Sequence, residues 1–228
     1  MCNAFCILFG AMNLTKEEVE GKDVLEVGAY NVNGSLRPLI ESWGPSKYVG
    51  VDIVQGTGVD EICSAEEIVN KYGKESFDII ISTEMLEHVK DWKKAISNFK
   101  NVCKKKGTIL ITTRRKEAEY HAWPYDFWRY EIEDMTKIFS DFIIGKLEYD
   151  KFSPGIFLKA KKPVDFIEND LSSIKLYSII TESRVEDIDE RIIRSFNKKY
   201  SMYLMLKKNF LWAMSFIPKM IKSLLHIK

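Results

Sequence analysis

Asp23-Val-Leu-Glu-Val-Gly-Ala-Tyr-Asn-Val-Asn-Gly34 joins a short β-branched run to a turn bounded by glycines. Such a run reads as a buried strand, and Gly28 lets the backbone turn sharply behind it. Gly34 to Trp43 then has helical character until Gly44-Pro45 breaks it, which completes one β-turn-α unit. The alternation repeats outward from there. Lys47-Tyr-Val-Gly-Val-Asp52 is a second strand ending in a carboxylate, and Phe77-Asp-Ile-Ile-Ile-Ser82 is a third, apolar enough to be buried on both faces. Between them Ala65 to Tyr72 is short and helix-like. Asp91 to Lys104 sets Trp92, Ala95, Ile96, Phe99, Val102 and Cys103 on one helical stripe, with Asp91 placed to cap it. Gly107 to Thr113 makes a further strand, Glu131 to Phe139 a helix, and Phe142 to Tyr149 with Gly155 to Lys161 a closing hairpin pair. This pattern predicts an α/β fold, doubly wound about a mostly parallel sheet. After Pro163 it changes to mixed helical segments, so the expected division is a domain at 1–163 and a helical appendage at 164–228.

A chain of 228 residues with 46% hydrophobic and 29% charged side chains has room for one full domain and excludes disordered or fibrous classes. Cysteines at 2, 6, 63 and 103 neither form a disulfide framework nor show paired zinc spacing, so free thiols are expected. The apolar stretch Met1 to Met12 lacks the basic flank of an export signal, and the protein is expected in the cytoplasm. The net charge of +1 conceals an asymmetry. Of the 34 Lys and Arg, nine lie between Arg191 and Lys228 with no acid among them, leaving 25 against 33 acids in the first 190 residues. Body and tail therefore carry opposite signs.

The acidic body argues against a nucleic-acid partner, since phosphate binding draws on clustered Lys and Arg. In the tail Phe210, Leu211, Met214, Ile217, Ile221, Leu224 and Leu225 recur near helical spacing with lysines between them. A basic amphipathic helix of this kind suits peripheral contact with anionic lipid on the inner face of a membrane through residues 200–228, or docking on an acidic body. It is too short in apolar length, and too interrupted by Pro218, to span one.

In open parallel sheets the ligand lies beyond the carboxyl ends of the strands, where strand order reverses. Three such positions agree. Gly28 allows close backbone approach, Asp52 is placed to accept both hydroxyls of a ribose, and Ser82-Thr-Glu-Met-Leu-Glu-His-Val89 follows the third strand. The G-x-G-x-x-G of NAD-type proteins is absent. From Leu14 to Pro163 these residues resemble the class I S-adenosylmethionine-dependent methyltransferases, in particular the ubiquinone-methyltransferase-like members. The resemblance implies a Rossmann-like seven-stranded sheet and an enzyme that moves a methyl group from S-adenosylmethionine to an oxygen or nitrogen of a small molecule, releasing S-adenosylhomocysteine. Sugars and lipid-linked glycan intermediates are among the acceptors it implies. It also implies that Glu26 lies near the methionine part of the cofactor with Gly28 against it, that Asp52 holds the ribose, that Ile53 packs on adenine, and that Ser64 and Ala65 border the ring. Gly34, Thr83 and Glu84 complete the cofactor side. The sequence departs from the family in spacing, with glycines two and eight residues after Glu26 instead of two, four and six, and in offering the Ser64 hydroxyl where many members have an acid.

For the acceptor, His121-Ala-Trp-Pro-Tyr-Asp-Phe-Trp-Arg-Tyr130 reads as an ordered loop over the pocket mouth. His121 is the expected general base, and Asp126 either a base or the partner of Arg129. Tyr125 and Trp128 suit stacking on a sugar or planar acceptor, and Arg129 suits a phosphate or carboxylate. Trp123, Phe127 and Trp128 serve equally to pack the loop itself. His88 is assigned a structural role in the cofactor loop, and nothing in the spacing supports a metal site. A non-catalytic cofactor-binding module, or a membrane-associated interaction protein, is the alternative from another class.

Overall fold

The computed structural model describes residues 3–121 and 124–224, with the side chains of the last helix described as far as Lys208. The chain opens with α1 (Ala4–Asn13) and α2 (Lys16–Val19). Asn3 caps α1 by accepting from the backbone N–H groups of Phe5 and Cys6, and Thr15 with Glu18 forms a reciprocal cap on α2. The apolar N-terminal stretch is thus a core helix. Its Cys6 and Phe9 pack with Leu36, Ile40, Val24, Ile79, Ile81, Leu110 and Phe157.

β1 (Asp23–Val27), α3 (Arg37–Ser42), β2 (Lys47–Asp52) and β3 (Glu61–Ile62) follow, then α4 (Ile68–Tyr72), β4 (Phe77–Thr83), α5 (Trp92–Val102) and β5 (Cys103–Arg114). Asp91 caps α5 as its sequence predicts, accepting from the Lys94 N–H. After β6 (Trp128–Arg129) and α6 (Ile132–Ile138), β7 (Ile143–Tyr149) and β8 (Gly155–Lys161) form the expected antiparallel pair. Seven strands make one sheet in the order β3-β2-β1-β4-β5-β8-β7, parallel from β3 through β5. This is the α/β doubly wound, Rossmann-like architecture. Alternate residues of a strand face opposite sides, so Val24, Ile79, Ile81 and Leu110 meet α1 and α3. Leu25, Ile80, Ile109 and Ile111, of the other parity, are fully buried beside the α5 stripe of Trp92, Ala95, Ile96 and Phe99. β1 has β2 on one side and β4 on the other, and strand order reverses there.

Two sequence expectations are corrected. Residues 164–187 are not helical. They carry β9 (Leu176–Ser178) and β10 (Ser183–Val185), an antiparallel pair that joins β6 in a second, three-stranded sheet. Leu171, Leu176 and Ile180 are buried, so the chain divides into compact units at Met1–Asp187 and Ile188–Lys228 rather than at Pro163. Three-residue strands take their conformation from a distant partner, and local periodicity does not reveal them. The second unit contains α7 (Glu190–Leu224); the side chains of Phe210 through Leu225 lie outside the described residues, as does Trp123. Among the described residues no helix is long and apolar enough to cross a membrane.

The second correction concerns Trp128 and Arg129, expected to meet the acceptor. Both are fully buried in β6. The Trp128 indole N–H donates to the Lys90 carbonyl at 3.1 Å. All five guanidinium N–H groups of Arg129 have internal acceptors: the Ala118, Glu119 and Trp128 carbonyls, and both oxygens of Asp126 at 2.5 and 2.7 Å. No donor remains for a substrate. This pair instead pins the segment 118–129 to itself. Removing one partner of a buried ion pair leaves an uncompensated charge, so Arg129→Met should cost about 3–5 kcal/mol of stability, a fall in Tm of roughly 6–20 °C. Arg129→Lys should recover only part of it, because an ammonium cannot reproduce the fork. A loss below about 1 kcal/mol in a denaturant titration of Arg129→Met would contradict this assignment.

Candidate active site

Strand order reverses at β1, so the carboxyl ends of β2, β1 and β4 lie side by side at the position where open α/β sheets bind ligands. Gly28 leaves β1 with φ +82°, a conformation that favours glycine. Its N–H and that of Ala29 both donate to the Val51 carbonyl, at 2.9 and 3.0 Å, so the turn is fastened to β2. The Met85 side chain fills the place where a Cβ on Gly28 would be, with Cγ 2.5 Å from that position. The loop after β4 therefore rests directly on the turn after β1.

Asp52 stands at the end of β2. One carboxylate oxygen accepts from the Tyr30 N–H at 3.1 Å and the other from the Val54 N–H at 3.2 Å. A carboxylate has about four lone-pair sites, so each oxygen keeps capacity for a further donor. β2–β3 pairing and the Cys63 N–H bond to the Asp52 carbonyl set Ser64 and Ala65 beside Asp52 and Ile53. Ile53 is exposed, Ser64 half-buried, and Ala65 is buried with its carbonyl accepting from Asn98. Glu26 is buried on the face of β1 that meets α3, where it accepts from the Tyr48 hydroxyl at 2.7 Å. Burial pushes its carboxyl up to about 7, against the opposing effects of Tyr48, Arg37 and Ser35. Thr83 is buried at the end of β4. Glu84 is buried with φ +53°, and its carboxylate pairs with Arg114. Gly34 donates its N–H to Asn31 Oδ1, and Ile7 of α1 occupies the space beside it, so this glycine is a packing requirement of the loop.

A second cluster lies beyond the ends of β4 and β5. Glu87 is fully buried in the 3-10 turn Leu86–His88, and one of its oxygens accepts from the Thr113 hydroxyl at 2.9 Å. Its other oxygen, Oε1, faces His88 Nε2 at 3.9 Å and His121 Nε2 at 3.7 Å. His121 Nδ1 meets the fully buried Asp126 at 3.1 Å, and the same carboxylate accepts the His121 backbone N–H at 2.9 Å. Burial would raise the Glu87 carboxyl, but His121 and His88 beside it hold it below the usual range. Burial likewise opposes charge on His121, yet Asp126 and Glu87 push its imidazole up to about 9. Asp126 serves Arg129 and His121 at once and is closed to solvent, so it acts on a ligand only through His121. Tyr125 is exposed beside Phe127, their ring centroids 5.6 Å apart.

The sequence names His121 and Asp126 as separate candidates in one loop, and the structure puts His121 Nδ1 3.1 Å from Asp126; Glu87 was missed. Its signal was an acid next to His88 just after a buried strand. Tyr48 and Arg37, which enclose Glu26, were also missed, because a tyrosine in mid-strand and an arginine before a proline carry no motif.

The family described as a methyltransferase domain matches residues 8–143. No curated protein matches the chain. Solved structures with a similar fold include an S-adenosylmethionine-dependent methyltransferase from Mesorhizobium loti, 17% identical with a TM-score of 0.52, covering 68% of this chain and 96% of that one. The 1,6-didemethyltoxoflavin-N1-methyltransferase of Burkholderia thailandensis, with its substrate and S-adenosylhomocysteine bound, is 12% identical with a TM-score of 0.56, covering 71% of this chain and 79% of that one. The phosphoethanolamine N-methyltransferase 2 of Haemonchus contortus, in complex with S-adenosylmethionine, is 17% identical with a TM-score of 0.52, covering 70% of this chain and 52% of that one. The sheet order, the turn at Gly28 and the match over 8–143 lead to one conclusion: the chain belongs to the methyltransferase-domain family, and is a class I methyltransferase whose cofactor is S-adenosylmethionine.

Proposed function

We propose that this enzyme transfers the methyl group to an oxygen or nitrogen of a small molecule, with the cofactor lying across the ends of β1, β2 and β4. The observation that carries this reading is Asp52, whose two oxygens are each fixed by a backbone N–H and keep capacity for two ribose hydroxyls. Glu26 would lie on the methionine side, Gly28 beneath the chain of the cofactor, and Ile53, Ser64 and Ala65 around adenine, with Thr83 and Glu84 closing the β4 side. His121, oriented by Asp126, is the group proposed to handle the acceptor's proton, and Tyr125 the ring against which the acceptor stacks. A sugar, including one carried on a lipid, is the acceptor class put forward. The exposed Met202, Tyr203, Leu204, Met205 and Leu206 in a basic helix support peripheral contact with a membrane surface.

Two measurements follow. Labelled S-adenosylmethionine incubated with the enzyme and a cell extract should put label into small glycans or organic-extractable glycolipids, and Asp52→Ala should lose that transfer. Label appearing only in nucleic acid would refute the acceptor class, and unchanged transfer by Asp52→Ala would refute the ribose site. The second reads pH. If the cofactor's α-ammonium group sits near Glu26, binding favours the ionised carboxylate, so affinity for S-adenosylhomocysteine should rise as pH climbs through about 7 and level off above it. Glu26→Gln should flatten that rise, and matching pH profiles for the two proteins in a calorimetric titration would exclude the contact.

A further inference from the structure

Among the described residues, three polar atoms of the second cluster have no hydrogen-bond partner: Glu87 Oε1, His88 Nε2 and His121 Nε2. They point at one another. Their separations of 3.7 and 3.9 Å from the carboxylate are too long for hydrogen bonds, and all three lie within 4.8 Å of each other. A carboxylate buried this completely with one oxygen unsatisfied costs free energy unless something charged meets it.

The rest of each side chain is anchored so as to leave those atoms available. His88 Nδ1 meets the Tyr125 carbonyl at 2.5 Å, which as an acceptor fixes the proton on Nδ1 and leaves the lone pair on Nε2. His121 Nδ1 lies 3.1 Å from both the Glu119 carbonyl and Asp126, which keep the proton on Nδ1, so Nε2 is the nitrogen that gives up its proton when a cation binds. Glu87 is held by Thr113 through its other oxygen. Two imidazoles whose Nδ1–H groups are held by oxygen acceptors, converging with an anchored carboxylate, are the first and second shells of a metal site.

We propose that Glu87, His88 and His121 bind a divalent cation of the first transition series, of the Zn2+ type. Two nitrogens and one oxygen suit such an ion better than Mg2+ or Ca2+, which prefer all-oxygen shells. Bonds of about 2.0–2.1 Å would set the ligand atoms about 3.3–3.4 Å apart in a tetrahedron, so closure needs inward movement on the order of 1 Å or less. Three protein ligands leave a position open, as in catalytic sites. Spacing could not show this site, because His121 comes from a different loop and the third ligand is an acid in a turn.

Cation binding itself rests only on these residues. Its role rests on the methyl-transfer reading, which it deepens. The cation sits where His121 was assigned to the acceptor, and would draw an acceptor hydroxyl toward its alkoxide form, with His121 a ligand instead of a free base. An acceptor with two adjacent oxygens, such as a vicinal diol, would fill the open position with one oxygen and bring the other in by expansion to five-coordination.

The test uses the full-length, metal-stripped protein. Co2+ should bind at one per chain with an intense visible band, Zn2+ should displace it, and His121→Ala and His88→Ala should each lower affinity by more than about 100-fold. X-ray absorption of the Zn2+-loaded wild type, which depends on no variant folding, should show two imidazoles and no sulfur. Asp52→Ala should keep Co2+ while losing S-adenosylhomocysteine, and metal-stripped wild type should still bind S-adenosylhomocysteine, so the two readings fail separately. Absence of one-to-one Co2+ and Zn2+ binding by folded wild type would overturn the proposal and leave an imidazolium held between Glu87 and Asp126. Binding that survives both histidine substitutions, or a sulfur-containing shell, would also overturn it.

Discussion

The Val51 carbonyl accepts two backbone N–H groups, those of Gly28 and Ala29, and the geometry of the site depends on that pair of hydrogen bonds. A carbonyl has two lone pairs, and both are spent here on holding the end of β1 against the end of β2. The turn cannot open without breaking two hydrogen bonds, its positive φ favours glycine, and Met85 occupies the place a side chain there would take. From this follow the approach of the β4 loop, the seat of Asp52 beside Tyr30, and the crevice where strand order reverses. Val24 through Val27 of β1 are buried, and residues of α1 and α3 pack on the face that carries Val24.

The two halves of the site are built by different physics. On the proposed cofactor side, backbone N–H groups fix a half-exposed carboxylate, Asp52, whose remaining lone pairs suit the hydroxyls of a nucleoside. On the proposed acceptor side, charge is buried: Asp126 pairs with Arg129 and His121, and Glu87 faces two histidines. Buried charges are costly unless compensated, and so many in one place make this cluster a candidate for chemistry as well as a structural tie. Arg129 shows the division of labour. It touches no open surface, yet it fixes Asp126, and through Asp126 the imidazole of His121.

Most of the main sheet was legible because its strands are short apolar runs ended by Gly28, Asp52 and Thr83, and because β7 and β8 are two apolar-rich runs either side of a turn region. Asp91 was legible as a cap from its place before the Trp92 stripe. β9 and β10 were not, since Leu176–Ser178 and Ser183–Val185 are strands only through pairing with each other and with β6. Residue type alone misassigned Arg129, which looks like an anion binder until its five acceptors are counted. The convergence of Glu87, His88 and His121 was hidden for a related reason. His88 and His121 are visible in the sequence, but which nitrogen of each is already anchored is a property of the fold.

A crystal structure of the protein with S-adenosylhomocysteine tests the central claim most directly. The account predicts ribose hydroxyls on both oxygens of Asp52, the amino-acid end passing over Gly28 toward Glu26, and the sulfur facing the side of the crevice that holds His121. A ligand lying elsewhere, or one that leaves Asp52 bound only to Tyr30 and Val54, would contradict it.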